Sequence, residues 1–301
     1  MRLRRNLQRV MTSIAAGLLV LLFRLLRNLN PDRTAEIAAG LMRGVGRFLP
    51  GHRVARANLQ AAFEDKTQPE IEQILKGMWD NVGRLMMEYA VLDKLWDYTP
   101  TVSSVPRIAL SSTFVETIKG LQRTSGPALF FGAHLANWEL LPIVSAVFGV
   151  KPAMLFRPPG PNPVANEIVR LRSKVGGCLI DARSGAALQL RSALRHGLFV
   201  GMLVDQHSVG GIEVTFFNRS CMVNSTLARL ARQFDCPVFG GRAIRIAGGR
   251  YRLEFTRALE LPRDQHGKIE IAGTMQFVTS IVEQWIREHP EQWLWMYRRW
   301  R

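Results

Sequence analysis

Residues Phe131-Gly132-Ala133-His134-Leu135-Ala136-Asn137-Trp138-Glu139 place a histidine five positions ahead of a carboxylate, directly after the apolar run Ala128–Phe131. A carboxylate on one imidazole nitrogen locks the ring in one tautomer and prepares the other nitrogen to take a proton from a hydroxyl. Geometry limits how such a pair forms. On one continuous helix five residues turn through about 500°, which leaves the two side chains roughly 140° apart. His134 and Glu139 therefore meet only if the histidine sits in the turn and the glutamate in the first helical turn. That turn follows the carboxyl end of a strand, where open α/β sheets bind ligands. Free amides at the helix start can also help to hold an oxyanion. By spacing alone, a structural histidine satisfied by its neighbours fits at least as well as a general base.

Other candidates cluster after predicted strands. Arg157 follows Ala153–Phe156 and precedes Pro158-Pro159, so it is either a fixed guanidinium for an anionic group or a surface arginine. Arg183, in Asp181-Ala182-Arg183-Ser184-Gly185, invites the same two readings. Asp205-Gln206 ends the strongest strand, Leu198–Val204, and either binds substrate or caps the next turn. His207 has no His-Glu-x-x-His or paired Cys/His spacing around it, so no metal is expected. His52, His196, His266 and His289 fall in loops or at helix ends and are read as solvated. Cys178, Cys221 and Cys236 are the rival nucleophiles. They are odd in number, widely spaced and far in sequence from any histidine, which reads as small core residues in a reducing compartment. No Walker loop, Gly-x-Gly-x-x-Gly or Gly-x-Ser-x-Gly elbow occurs, and no cofactor is called for.

The elements that must position these residues alternate after Pro100. Strands are expected at Ala128–Phe131, Ala153–Phe156, Cys178–Ile180, Leu198–Val204, Glu213–Phe217, Val238–Ile246 and Arg250–Arg257. Helices are expected at Asn137–Phe148, Pro163–Lys174, Gly185–Arg195, Ser225–Phe234 and Ala272–His289. This alternation predicts an α/β fold with a mixed, largely parallel sheet flanked by helices and an antiparallel pair near its end. Residues 34–97 read as helical, broken at Pro50-Gly51 and again between Asp65 and Pro69. There Ile71, Ile74, Leu75, Met78, Trp79, Val82, Leu85 and Met86 recur at three- and four-residue steps, a packing stripe. Eight acids and four bases between Glu64 and Asp97 make this layer acidic.

The 301-residue chain as a whole is nonetheless strongly basic, with a net charge of +16 from 40 basic and 24 acidic side chains, and only seven of the 40 are lysine. Such a balance favours polyanionic partners: nucleic acid, anionic lipid or an acidic carrier protein. Arginine leans toward bidentate phosphate or carboxylate recognition, although GC-rich codon usage inflates it too. The first nine residues hold four arginines ahead of an uncharged run, Val10–Phe23, and Arg24, Leu25 and Leu26 extend it toward Asn28-Leu29-Asn30-Pro31. Fourteen helical residues rise about 21 Å, short of the roughly 30 Å hydrocarbon core. A cleaved signal peptide, a buried helix and a membrane anchor remain open, the anchor either spanning or lying in the interface. The anchor fits best, because seven arginines among residues 1–33 suit anionic headgroups. Trp293, Trp295, Tyr297 and Trp300, mixed with Arg298, Arg299 and Arg301, look like an aromatic–basic interfacial belt. Stacking on nucleic acid would use the same residue types, but one short cluster without an RNA-binding fold argues against it.

The box Gly132-Ala133-His134-Leu135-Ala136-Asn137-Trp138-Glu139 resembles the His-x4-Asp/Glu signature of glycerolipid-type acyltransferases. Its Asn-Trp-Glu ending is the form seen in the lipid A late (lauroyl and myristoyl) acyltransferase family. The likeness covers nearly the whole chain. It runs through the membrane-proximal helix, Arg53-Val54-Ala55-Arg56-Ala57-Asn58-Leu59, Phe156-Arg157-Pro158 and Gly201-Met202-Leu203-Val204-Asp205-Gln206 to Val214-Thr215-Phe216-Phe217 and the end segment Pro290–Arg299. The resemblance implies an N-terminal membrane-associated helix at 1–30, followed by one acyltransferase domain at 31–301, with a helical layer at 34–97 and an α/β core at 100–301. It implies His134 as general base, which Glu139 would orient; Arg157, Arg183, Asp205 and Gln206, placed at the ends of strands or before a helix, are the substrate-binding candidates. It further implies an acyl-acyl carrier protein donor, a lipid A precursor acceptor, and an inner-membrane enzyme working on the cytoplasmic face. Acylation of another glycolipid, such as a mannosylated phosphatidylinositol, and a catalytically silent membrane-surface protein are the alternatives.

Overall fold

The computed structural model describes residues 25–95, 107–124, 126–150, 152–157, 163–175, 177–183 and 185–300. Most of the expected N-terminal anchor, residues 1–24, lies outside the described residues. Among the described residues no helix is long and apolar enough to cross a membrane.

Three helices come first: α1 (Pro31–Val45), α2 (Pro50–Ala62) and α3 (Gln68–Ala90). Each starts on a local signal. The Asn30 side chain accepts the Asp32 and Arg33 amides at the head of α1, and Thr67 with Glu70 forms a reciprocal capping box on α3. The expected break at Pro50-Gly51 is present: α1 and its closing turn end by Phe48, Leu49 is extended, and Pro50 opens α2, because a proline at the first helical position has no hydrogen bond to lose. His52 is correspondingly not solvated. It is buried on α2, and its Nδ1 accepts the Trp79 indole N–H at 3.1 Å. The α3 stripe is buried except for Val82, which is half-buried, and Met86, which is exposed.

The sheet follows as β1 (Ile108–Leu110), β2 (Ala128–Gly132), β3 (Ala153–Phe156), β4 (Cys178–Asp181), β5 (Phe199–Leu203), β8 (Val238–Ile246) and β9 (Arg250–Phe255). Their order across the sheet is β1-β9-β8-β2-β5-β3-β4. All neighbours run parallel except β8 and β9, the antiparallel pair that turns through Gly248-Gly249. The mixed, largely parallel sheet flanked by helices is therefore as expected. Crossover helices α4 (Ser112–Arg123), α5 (Leu140–Val147), α6 (Pro163–Val175), α7 (Ala186–Arg195), α8 (Thr226–Phe234) and α9 (Ile271–Glu288) connect or flank the strands.

The sequence patterns missed β1, α4 and a separate hairpin of β6 (His207–Phe216) with β7 (Arg219–Val223). β6 starts well before the expected Glu213, because a bulge pairs both His207 and Ile212 with Val223. Acids of the helical layer are taken up by arginines within it, such as Arg43 on Asp80, and by others from outside it, Arg27 on Asp93 and Arg245 on Glu88. Of the cysteines, Cys221 and Cys236 are core residues, but Cys178 is exposed at the edge strand β4. Burial pushes the Cys236 thiol up to about 11, which leaves it inert at neutral pH.

Candidate active site

His134 sits two residues beyond the end of β2, at the carboxyl edge of the sheet. Register decides its partner. Gly132 lies opposite Leu203, and the Val204 amide donates to the Gly132 carbonyl at 3.1 Å, so the chain leaving β5 runs beside the chain leaving β2. Asp205 is thereby set against His134. The imidazole Nδ1 is 2.8 Å from Asp205 Oδ1, and the His134 backbone N–H donates to Oδ2, also at 2.8 Å. Trp293 Nε1–H donates to the same Oδ2 at 2.7 Å. Asp205 is only 3% exposed and is not among the residues that line the cavity, so it stands behind the histidine. Burial alone would raise its carboxyl, but His134 and the three donated hydrogen bonds outweigh it and hold the group at about 2. The stability this pairing adds is present above the ordinary carboxylate range and lost as pH falls through about 2.

Glu139 does not touch the imidazole. Between the two residues Ala136 adopts left-handed backbone (φ 46°), and its amide is held by the Gln292 carbonyl at 2.9 Å. Helix α5 then starts at Leu140, three residues later than expected, after the Asn137 side chain has accepted the Glu139 amide. That turn sends the Glu139 carboxylate to a different set of donors. Tyr89 O–H (2.9 Å), Trp138 Nε1–H (3.0 Å) and Arg172 Nε–H (2.9 Å) all reach it, and Arg172 adds a second, bidentate bond. Arg172 is pulled in two directions by its surroundings. Burial would lower its pKa, but the adjoining Glu139 raises it further still. Glu139 is thus the anchor of a buried cluster that ties the helix start to α3 and α6. The expected His134–Glu139 contact is replaced by His134–Asp205.

A second polar spine lies under the same turn. Asn137 Nδ2–H donates to Glu88 Oε2 at 3.0 Å, and Glu88 is paired with Arg245 of β8. Burial would raise the Glu88 carboxyl, but Arg245 holds it below its ordinary range. No spacing signal marks Tyr89, Arg172, Glu88 or Arg245, because each acts from an element distant in sequence.

His134 lines a cavity of about 640 Å³ that passes between the sheet and α5. Trp138 and Tyr297 meet the imidazole edge-on, with ring centroids 4.7 and 5.4 Å away, and Gln206 Nε2 comes within 3.4 Å of His134 Nε2. Gln206, Glu139 and the exposed Arg157 also line the cavity. Arg183 does not. It is 69% exposed at its side chain and is held by Asp181, its neighbour two residues back.

Of the C-terminal residues expected as an interfacial belt, Trp293, Trp295 and Arg299 are instead core, whereas Tyr297 and Arg298 are exposed and Trp300 is half-buried. Trp293 and Trp295 are fully buried, and Arg299 is 2% exposed, stacked on Phe216. This segment forms the back of the site. Trp293 holds Asp205, Tyr297 meets His134, and Arg299 Nη1–H donates to the Gln206 carbonyl at 2.8 Å. Asn58 of α2 clamps it by donating to the Trp295 and Tyr297 carbonyls, both at 2.8 Å.

The arrangement is a buried histidine with one nitrogen fixed by a carboxylate and the other beside a largely apolar cavity. Such a site can deprotonate a hydroxyl next to a long hydrocarbon. The family model for bacterial lipid A biosynthesis acyltransferase matches residues 3–301. No curated protein matches the chain.

Proposed function

We propose that this chain, which belongs to the bacterial lipid A biosynthesis acyltransferase family, moves a fatty acyl group from an acyl-acyl carrier protein to a hydroxyl of a lipid A precursor. His134 is the general base, and the observation that supports this role is its pairing with buried Asp205 at the mouth of the apolar cavity. In the reaction His134 Nε2 takes the proton of the acceptor hydroxyl as that oxygen attacks the thioester carbonyl. Asp205 stabilises the imidazolium that forms. Collapse of the tetrahedral intermediate breaks the carbon–sulfur bond, and the imidazolium returns the proton to the departing thiolate. The thioester is already activated, so no covalent acyl-enzyme is required. Gln206 donates to the oxygen that gains charge. Arg157, exposed at the same cavity, binds acceptor phosphate.

The test is direct. Full-length protein in detergent is given an acyl-acyl carrier protein with a lipid A precursor, or with a mannosylated phosphatidylinositol. We expect the mass of one acyl group to be added to the lipid A precursor only. Transfer to the mannosylated lipid alone would move the protein to that acceptor, and transfer to neither would leave a silent surface protein.

The enzyme works at a membrane surface on the cytoplasmic side. Helix α1 supports the membrane contact, since Ile37, Leu41 and Val45 recur at four-residue steps along one side and are exposed, with Phe48 continuing the stripe at 74% exposure. Arg33 and Arg47 are exposed beside it. Leucine-sized side chains each gain about 1.5–3 kcal/mol when fully buried in an apolar phase. The double substitution Ile37→Asp and Leu41→Asp should therefore weaken sedimentation with anionic vesicles at least tenfold. Transfer to a detergent-dispersed acceptor should persist. Unchanged sedimentation would remove α1 from the membrane contact.

A further inference from the structure

The cavity exists because side chains are missing from three neighbouring strands. Gly132 on β2, Gly201 on β5 and Gly241 on β8 all line it. At each position a β-carbon would meet tight neighbours. One at Gly132 would come 3.2 Å from the Gly241 carbonyl oxygen, one at Gly241 would come 2.7 Å from the Phe255 ring, and one at Gly201 would lie 2.9 Å from Met154 Cε and nearer still to its sulfur. In register, Gly132 sits opposite Leu203, while Phe130, Gly201 and Met154 lie abreast two residues further from His134. At roughly 3.3 Å per residue that second level is about 7 Å deeper. Val150 and Pro152, which precede β3, line the cavity at the end opposite His134.

The walls at the deeper level differ in stiffness. Phe130 is wedged among Phe199, Phe239 and Phe255, with ring centroids 5.2–6.4 Å apart, and a packed aromatic cluster gives way only at a cost. Met154 is the opposite, an unbranched thioether lying over the bare backbone of Gly201, and such side chains adapt to what they touch. We infer that Gly201 and Met154 are the specificity-determining pair for the length of the transferred acyl chain, which lies along the cavity with its carboxyl end at His134. This inference rests on the acyltransferase reading above. Any side chain at residue 201 displaces Met154 into the cavity and shortens it, whereas truncating Met154 lengthens it.

The experiment offers equimolar acyl-acyl carrier proteins, from decanoyl to hexadecanoyl in two-carbon steps, to the full chain and its variants, with the acylated products counted by mass spectrometry. Gly201→Val should move the preferred chain at least two carbons shorter. Because each buried methylene is worth about fourfold in binding, the chain preferred by the parent should lose about fifteenfold against its shorter competitor. Met154→Ala, which adds space and risks no clash, should move the preference longer. A parallel thermal-shift series with free fatty acids of the same lengths reads the cavity without requiring transfer. Should the parent transfer nothing, the function is misassigned, yet this series still decides the inference. An unaltered chain-length order in both folded variants, by products and by thermal shift, overturns it.

Discussion

Replacing His134 by alanine should reduce acyl transfer by a factor on the order of 10²–10⁴, the range over which a positioned general base acts. The substitution removes the nitrogen that takes the hydroxyl proton and strands Asp205, whose carboxylate would keep the Trp293 indole and the backbone amide of residue 134. His134→Asn is the companion variant, since its amide can still donate to Asp205 while providing no base. Both should melt within a few degrees of the parent, and both should be equally inactive. Asp205→Asn should act through the same group. It leaves the ring in place but removes the charge that favours the imidazolium and selects the tautomer. The double variant should therefore be scarcely worse than His134→Ala alone, because residues that act as a unit are not additive. Rates measured with a purified lipid acceptor check this. Full activity in the His134 variants would end the proposed mechanism.

The second large effect is on stability. Glu139→Ala should destabilise the fold by about 3–5 kcal/mol, the cost of leaving one partner of a buried ion pair uncompensated. Arg172 would stay charged with its side chain only 15% exposed, and Tyr89 and Trp138 would each lose a hydrogen-bond acceptor. Loss of activity in this variant should follow loss of folded protein. The double variant Glu139→Ala with Arg172→Met should recover much of the stability, because it removes the unpaired charge as well. Thermal and denaturant unfolding measure both. If Glu139→Ala unfolds like the parent yet transfers nothing, the carboxylate acts in the chemistry and its place as an anchor is wrong.

Glu139 also shows where reading the residues in order reaches its limit. The box was visible because a strand, a turn and a helix start lie consecutively in the chain, and their periodicities identify them one by one. Partner choice within the box depends on Ala136, which leaves the right-handed region because the Gln292 carbonyl, 156 residues away, holds its amide. Local propensity has no term for such a bond. Asp205 was similarly recognisable as a residue at the functional edge of a sheet. Its contact with His134 follows from the parallel pairing of β2 with β5, and pairing partners are not encoded in a strand's own pattern. Trp293, Trp295 and Arg299 were misplaced for a related reason. An aromatic–arginine mixture suits both a membrane interface and a desolvated site wall, and only packing against Phe63, Phe216 and Phe217 distinguishes them.

The amino-acid sequence by itself determined the family, the alternation of strands and helices, the largely parallel sheet and His134 as the histidine to watch. Each of these rests on short-range patterns: a motif, a hydrophobic period, a capping residue. Only the tertiary structure decided that Asp205 rather than Glu139 orients that histidine, that the C-terminal segment backs the site, and that three glycines from separate strands hollow out its cavity. All three are contacts between segments far apart in the chain. Their free energy comes from desolvation and register at one sheet edge, neither of which exists until the strands are paired.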